Sequence, residues 1–464
     1  MGKKLKGKDL INIGYPQNNT VNVALGQINR YRKKFTKEQN LTAAQKVLSE
    51  PDAFEGDPIW GKIAEALKKP VVLKRHELLD KQVPNAIFGD AGIEDAAKYQ
   101  MYTALKLPIA VQGAMMPDAH AGYGLPIGGV LATENAVIPY GVGVDIGCRM
   151  ALSIYPIDVS YLKGKKDQFK NFLANHAKFG MYETHKVKHD HPVFERSEFS
   201  EIPLLRGLKT KAYRQLGTSG SGNHFVEFGV VEIMDSKNEW DLPPGEYVGL
   251  LTHSGSRSLG ANIAKHYTYL ATKQTPLPKQ AQHLAWLDLN THDGQEYWIA
   301  MQLAGDYAKA CHDNIHARMS KLLGTRAIAM IENHHNFAWK QEVNGKTCVV
   351  HRKGATPAAE GELGIIPGSM TAPGFIVRGL GNEQSLQSAS HGAGRRYSRR
   401  QCHERFTQGS INKQLKVNGV ELLGGGIDEA PGAYKDIREV MNNQRDLVEV
   451  VGQFTPKIVR MDRH

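Results

Sequence analysis

A single large α+β unit with a central cleft is the architecture this sequence predicts. The chain has 464 residues, 41% of them hydrophobic, enough to bury a sizeable core. Helix-like and strand-like stretches are interspersed without regular βα repetition, internal repeats or a long Pro/Ser linker. A surplus of 47 glycines points to many tight turns between them. One unit over 1–464 is therefore expected, with 1–105 as a helical N-terminal region and 259–325 as a helical excursion.

The N-terminal helices are read from "LTAAQKVLSE" and "PIWGKIAEALKK". From Met115 to Ala151 the sequence turns to β-branched pieces separated by glycine, which suit strands and turns. Residues 160 to about 215 return to basic, helix-like sequence. The segments "RQLGTSGSGNHFVEFGVVEI" and "GEYVGLLTHSGSRSLG" read as strands broken by glycine-rich loops. In the excursion, Ile299, Leu303, Tyr307, Cys311 and Ile315 recur every fourth residue, predicting a helix with one buried face and a core role for Cys311. Strands resume at "TRAIAMIENHHNFAWK" and "GELGIIPGSM", and helices are expected after His391 and from "PGAYKDIREVMNNQ".

Composition narrows the class. No apolar run approaches the length of a membrane helix, and the basic start "MGKKLKGKDLINIG" lacks the apolar segment of a secretory signal, so a cytoplasmic protein with no membrane partner is expected. The four cysteines, Cys148, Cys311, Cys348 and Cys402, form no C-x-x-C pair, which argues against a disulfide framework or a zinc ribbon. A formal charge of +11 and basic clusters at Arg30 to Lys34, Leu162 to Lys166 and Arg395 to Arg400 suit a polyanion, or simply a solvated surface.

The residues that carry chemistry lie in the glycine-rich loops. "GVDIGCRM" offers Asp145 and Cys148 across a turn at Gly147; "GSGNHFVEF" offers His224, "LTHSGSRSLG" His253, and "ENHHNF" His334 and His335. A carboxylate, a thiolate and several imidazoles suit a divalent transition metal, although each histidine taken singly could equally be a buried structural group. Arg257, four residues beyond His253, could clamp phosphate oxygens or sit in an ion pair. In "SASHGAGRRYSRR", small residues surround His391 and Arg395 follows one turn later. A helix starting there would aim free amides at an anion beside an imidazole able to attack phosphorus.

Taken in order, the blocks "MPDAHAGYGLPIGGVLAT", "GVGVDIGCRM", "GNHFVE", "HSGSRSLG", "HHNF", "RKGAT", "IPGSM", "SHGAGR" and "IDEAPGAYKDI" resemble the RtcB family of RNA-splicing and repair ligases, from about Met115 to Val451. The resemblance implies a single RtcB-like catalytic domain with a central metal and nucleotide cleft. It implies GTP-dependent joining of an RNA 3′-phosphate or 2′,3′-cyclic phosphate end to a 5′-hydroxyl end, in RNA repair or tRNA splicing, with two Mn²⁺ ions. By the same resemblance His391 takes GMP, passes it to the RNA 3′-phosphate, and the 5′-hydroxyl displaces it. Cys148 matches a bridging thiolate, with Asp145 and His224 on one ion and His253 and His335 on the other. Asp118, Arg257 and Arg395 match catalytic positions; Asn223, Glu227, Asn336, Ser369 and Tyr434 match nucleotide-binding ones. The need for an accessory activator protein is left open.

The sequence departs from the family pattern in three places. Arg149 stands beside the thiolate where the family has glycine, Ser219 replaces an apolar residue before "GNHF", and Met461 occupies the register of a C-terminal lysine, with Lys457 or Arg460 as substitutes after a shift. A metal-dependent RNA phosphoesterase or nuclease, and a non-catalytic RNA-binding paralogue, are the alternative readings. The intact "SHGAGR" argues against the first, since hydrolysis needs no nucleophilic His391; the complete ligand set argues against the second.

Overall fold

The computed structural model describes residues 5–16, 19–31, 35–68, 75–185, 190–236 and 238–463. Part of the basic stretch at Arg30 to Lys34, residues 32–34, lies outside them, as do residues 1–4 of the basic start. The chain divides into two compact units, 1–74 and 75–464. The first holds the helices Gly7–Asn12, Asn19–Tyr31, Lys37–Ser49 and Gly61–Leu67. Leu10, Ala24, Ile28, Ala44, Val47 and Ile63 form its core, and a Thr36/Gln39 capping box starts the third helix. Residues 75–105 belong to the second unit, although they include the helix Asp95–Ala104.

The second unit mixes helices with two principal sheets, as the interspersed sequence predicted. The larger runs Leu363–Ile366, Gly374–Gly379, Val448–Met461, Phe225–Ile233, Gly245–Ser254, Arg149–Tyr155 and Ala329–His334, with Glu421–Leu423 added in parallel to Val448–Met461. The smaller runs Asn85–Ile87, Ala110–Tyr123, Leu125–Thr133, Lys346–Lys353 and Asn336–Val343. His335 therefore falls between a strand of one sheet and a strand of the other, and the functional residues gather at that seam.

The larger sheet nearly closes. Its two outer strands meet through the buried Asn333 side chain, whose Oδ1 accepts from Ile365 N at 2.9 Å while Nδ2 donates to Ile365 O at 3.3 Å and to Thr356 Oγ1 at 2.7 Å. A side-chain amide thus replaces the missing backbone ladder. Asn333→Leu orphans these buried groups, and the expected loss is about 2–3 kcal/mol. A lower urea midpoint would show it; an unchanged midpoint would mean that the seam closes without Asn333.

Helix His292–Leu323 packs behind the larger sheet, capped by Thr291 at its start and by Gly324 in the left-handed region at its end. Leu303, Tyr307, Cys311 and Ile315 are buried as expected, but Ile299 is 40% exposed. Steps of four overshoot a 3.6-residue turn by about 40° each, so a five-member series leaves the buried face. Among the described residues no helix is long and apolar enough to cross a membrane.

Candidate active site

The turn at Asp145–Cys148 is closed by Cys148 N donating to Asp145 O at 3.2 Å, with Gly147 at φ +69°. It brings Cys148 under two histidines: Sγ lies 3.2 Å from His253 Nε2 and 3.4 Å from His224 Nε2. Asp145 Oδ2 is 3.0 Å from His224 Nε2, and His335 Nε2 is 3.2 Å from His253 Nε2. Asp145, Cys148, His224, His253 and His335 therefore converge.

The chemistry of this donor set fits a metal. His253 Nδ1–H donates to Asn223 O at 3.0 Å, which leaves a lone pair on Nε2 directed at Cys148 and His335. Burial, then the His224 charge, pushes His253 down to about 3, and burial, then the His391 charge, holds His335 well below the usual histidine range. Both rings are neutral, the ligating form. Burial, then Asp145, pushes the Cys148 thiol well above its ordinary value, so a cation is what would make it a thiolate. Cys148, His224 and His253 each offer a ligand atom within 4.8 Å of the others.

His334 faces the other way, with its ring 4.9 Å from Phe337 and 5.0 Å from Trp339. Arg149 also turns away from the thiol side: Nη1 meets Glu332 at 3.1 Å and Nη2 donates to Gly305 O at 3.4 Å. Replacing glycine by arginine next to Cys148 therefore leaves the cluster unobstructed.

His391 stands against this cluster, its ring 5.1 Å from that of His335. Asp118 Oδ2 accepts from His391 Nδ1 at 2.6 Å and from His391 N at 3.1 Å. Nε2 has no hydrogen-bond partner among the described residues. Burial works to raise the Asp118 pKa, but the His391 charge and hydrogen bond outweigh it and hold the carboxyl below its ordinary value. Lys435 Nζ donates to Pro117 O and Ala119 O at 3.0 and 2.7 Å, fixing the backbone on both sides of Asp118.

Helices do follow His391, at Arg399–Arg405 and Gln408–Asn418, but none starts at His391 itself. His391 follows the short strand Ser388–Ser390, and the next helix, Arg399–Arg405, begins only at a Ser398/Gln401 capping box. Gly394, at φ +70°, passes so close to Asp118 that a Cβ would strike its carbonyl. This close approach, rather than a helix start, is what the small residues serve.

Beside His391 opens a cavity of about 280 Å³ lined by His120, Asn223, Glu227, His253, Ser369, Arg395, Arg399, Glu429, Tyr434 and Met461 among others. Arg395 is not a free clamp. Its Nη1 meets Glu429 at 3.3 Å, Nη2 donates to Asp428 O at 2.5 Å, Nε donates to Tyr397 O at 3.1 Å, and the guanidinium lies 5.3 Å from the Tyr434 ring centre. Glu429, almost fully buried, also accepts from the Tyr434 hydroxyl and meets Arg399 at 2.8 Å.

Arg257 and Asn336 do not line this cavity. Arg257, at φ +55°, donates from Nε to Thr218 Oγ1 at 3.1 Å and from Nη2 to Gly180 O at 2.6 Å, with Nη1 on the Gly220 and His224 side. Asn336 holds the turns instead: Oδ1 accepts from Gly354 N at 2.8 Å, Nδ2 donates to Asp145 O at 3.4 Å, and its backbone carbonyl accepts from Gly147 N at 2.7 Å. Met461 lines the cavity, whereas Arg460 donates to Leu423 O and Met461 O and lies over Phe179. Neither Arg460 nor Lys457 lines the cavity in place of the lysine.

Sequence reasoning passed over Glu429, Lys435, His120 and Arg399. The first three lay inside the quoted blocks "IDEAPGAYKDI" and "MPDAHAGYGLPIGGVLAT", and Arg399 inside a basic cluster read as facing a polyanion or solvent. His120 Nδ1–H donates to Asp118 O at 3.0 Å, and burial pushes the ring down to about 4.

Comparison with known proteins gives a consistent picture. Residues 100–202 and 202–462 match the family model described as tRNA-splicing ligase RtcB. The chain is 34% identical over 392 residues, 77% of its length and 92% of the relative's, to the RNA-splicing ligase RtcB of Escherichia coli strain K12. It is 29% identical over 436 residues, 79% of its length and 91% of the relative's, to the tRNA-splicing ligase RtcB of Nanoarchaeum equitans.

Proposed function

Because the chain belongs to the tRNA-splicing ligase RtcB family, and is on that ground an RNA ligase, we propose that it joins an RNA 3′-phosphate or 2′,3′-cyclic phosphate end to a 5′-hydroxyl end using GTP and manganese, with His391 as the covalent carrier of GMP. The observation that supports this most is the pairing of His391 with Asp118: Nδ1–H donates to the carboxylate, so the unpartnered nitrogen Nε2 carries the lone pair beside the cavity.

In this reading Nε2 attacks the α-phosphorus of GTP, a P–N bond forms and the P–O bond to pyrophosphate breaks. Water first opens a 2′,3′-cyclic end to a 3′-phosphate; the RNA 3′-phosphate oxygen then attacks the carried phosphorus, the P–N bond breaks, and the imidazole is returned. Finally the 5′-hydroxyl attacks the activated phosphate, forming the phosphodiester as GMP leaves. Asp145, Cys148, His224, His253 and His335 would hold manganese, which would neutralise phosphate oxygens and activate an attacking oxygen. Asp118 orients the imidazole and stabilises its charge. Arg395, Arg399, Glu429 and Tyr434 form a fixed wall for the nucleotide, and Arg257 is positioned on the His224 side for phosphate.

The guanine end of the cavity is suited to Glu227. Its carboxyl is 4% exposed and has no hydrogen-bond partner among the described residues, and burial holds its pKa well above the ordinary value. Guanine's N1–H and N2–H would supply the two donors that an ionised Glu227 lacks, offsetting the burial that favours its neutral form; adenine does not present that pair. Val459 and Met461 on the paired strand add no charge beside it. Discrimination of GTP from ATP therefore falls to Glu227, and Glu227→Ala is expected to reduce it by about 100-fold or more. Competition binding with the two nucleotides reads the ratio, and an unchanged ratio would remove Glu227 from base recognition.

The activity itself is tested with two synthetic RNAs, one ending in a 3′-phosphate and one beginning with a 5′-hydroxyl. Joined product requiring both GTP and Mn²⁺ is expected. Release of inorganic phosphate without joining would favour the phosphoesterase reading.

A further inference from the structure

We propose that Tyr123, backed by Tyr140 and His283, is a stacking platform for an unpaired base of the 3′-phosphate RNA strand as that strand enters the site; this rests on the RNA-joining function proposed above. Tyr123 is 66% exposed at the tip of the hairpin formed by Ala110–Tyr123 and Leu125–Thr133. Paired within that hairpin are His120 and Ile127, and both line the cavity. The tip therefore continues the cavity wall outward. On its other side, Gly354 lies between the hairpin and the active centre: a side chain there would meet Ile127 and the His391 ring.

The platform is built, not merely exposed. The Tyr140 and His283 rings stack with centroids 5.2 Å apart, and Tyr123 meets them edge-on at 6.4 and 5.9 Å. Lys353 Nζ sits 4.9 Å from the Tyr140 ring centre and donates to Tyr123 O at 2.5 Å. Gln100 exchanges two hydrogen bonds with Gly122, at 2.6 and 2.9 Å, and Glu94 Oε1 accepts from Ala121 N at 2.7 Å. A tip pinned from three sides presents its ring with little ordering left to lose on binding. Tyr99 and Tyr182 are exposed as well, but neither lies on the hairpin that lines the cavity.

Base stacking on an aromatic face is sequence-tolerant, and fits an enzyme that must take strand ends by backbone and end group. The strand carrying the 3′-phosphate is the one assigned to it, because that end must reach His391, and the tip is joined to the His391 surroundings through Ile127 and Gly354.

The test uses the full chain and two short RNAs, one with a 3′-phosphate and 2-aminopurine as its last base, the other with a 5′-hydroxyl, a 3′-hydroxyl and 2-aminopurine as its first base. Wild type is expected to quench the first, and Tyr123→Leu to bind it about tenfold or more weakly without quenching, whereas Tyr123→Phe retains both. Since Tyr123 is mostly exposed, thermal unfolding should match in all three proteins. Equal binding and quenching by wild type and Tyr123→Leu overturns the platform alone; loss confined to the 5′-hydroxyl strand overturns its assignment. Wild type that binds neither strand overturns the RNA reading beneath it.

Discussion

Asp118→Asn is expected to slow nucleotide transfer to His391 by about 10³–10⁴-fold, the scale on which a carboxylate that orients a catalytic imidazole acts. One oxygen of Asp118 accepts from both the ring Nδ1 and the backbone amide of His391, so it sets the tautomer and the ring's direction together. An amide in its place can face the ring with NH₂, which moves the proton to Nε2 and removes the attacking lone pair. Facing it with oxygen preserves the bond but loses the negative charge that offsets an imidazolium. Because the His391 charge and hydrogen bond keep Asp118 below the ordinary carboxylate range despite its burial, the carboxylate is ionised at neutral pH, and its stabilising effect is lost only as pH falls through that lowered value. Single-turnover measurement of protein-bound label reads the effect, with circular dichroism to verify folding. A folded Asn variant that labels at the wild-type rate would show that Asp118 does not orient the nucleophile.

The second large effect is on the metal centre. Cys148→Ala removes the sulfur at the middle of the cluster, 3.2 Å from His253 and 3.4 Å from His224. Loss of a supporting group around a metal typically costs about 10–100-fold in affinity, so loss of this central donor is expected to exceed about 100-fold. Metal content per chain after dialysis, and a Mn²⁺ titration, measure it directly. His335→Ala should behave similarly and His334→Ala should retain metal, since His334 packs against Phe337 and Trp339. Equal metal content in the Cys148 and His335 variants and the parent would mean that the cluster is not the metal site.

Residues whose role depends on local pattern were legible in the sequence. The Asp145–Cys148 turn, the "SHG" segment and the ordered blocks carried the family resemblance, which implied His335 rather than His334, and His335 is the one that turns toward the cluster. Features depending on what packs against what were not legible. The glycines after His391 read as a helix start because an anion pocket explains them; their actual neighbours, Pro367 for Gly392 and Asp118 for Gly394, lie elsewhere in the sequence. Arg395 read as standing free beside an anion because its partner Glu429 is contributed by a later helical turn, Ile427–Glu429. Ile299 followed the fourfold spacing but not the helical turn. Nothing in the sequence around Asn333 announces that its amide closes a sheet against Ile365. Arg149 is next to Cys148 in sequence, but Glu332, distant in sequence, draws its guanidinium away.

The central claim is that His391 bonds covalently to GMP. Incubating the full chain with α-labelled GTP and Mn²⁺, then digesting and mapping the label, tests it most directly. Acid-labile label on the peptide containing His391, absent from His391→Ala and dependent on Mn²⁺, is the predicted result; label that persists in His391→Ala, or that maps to another residue, would contradict it.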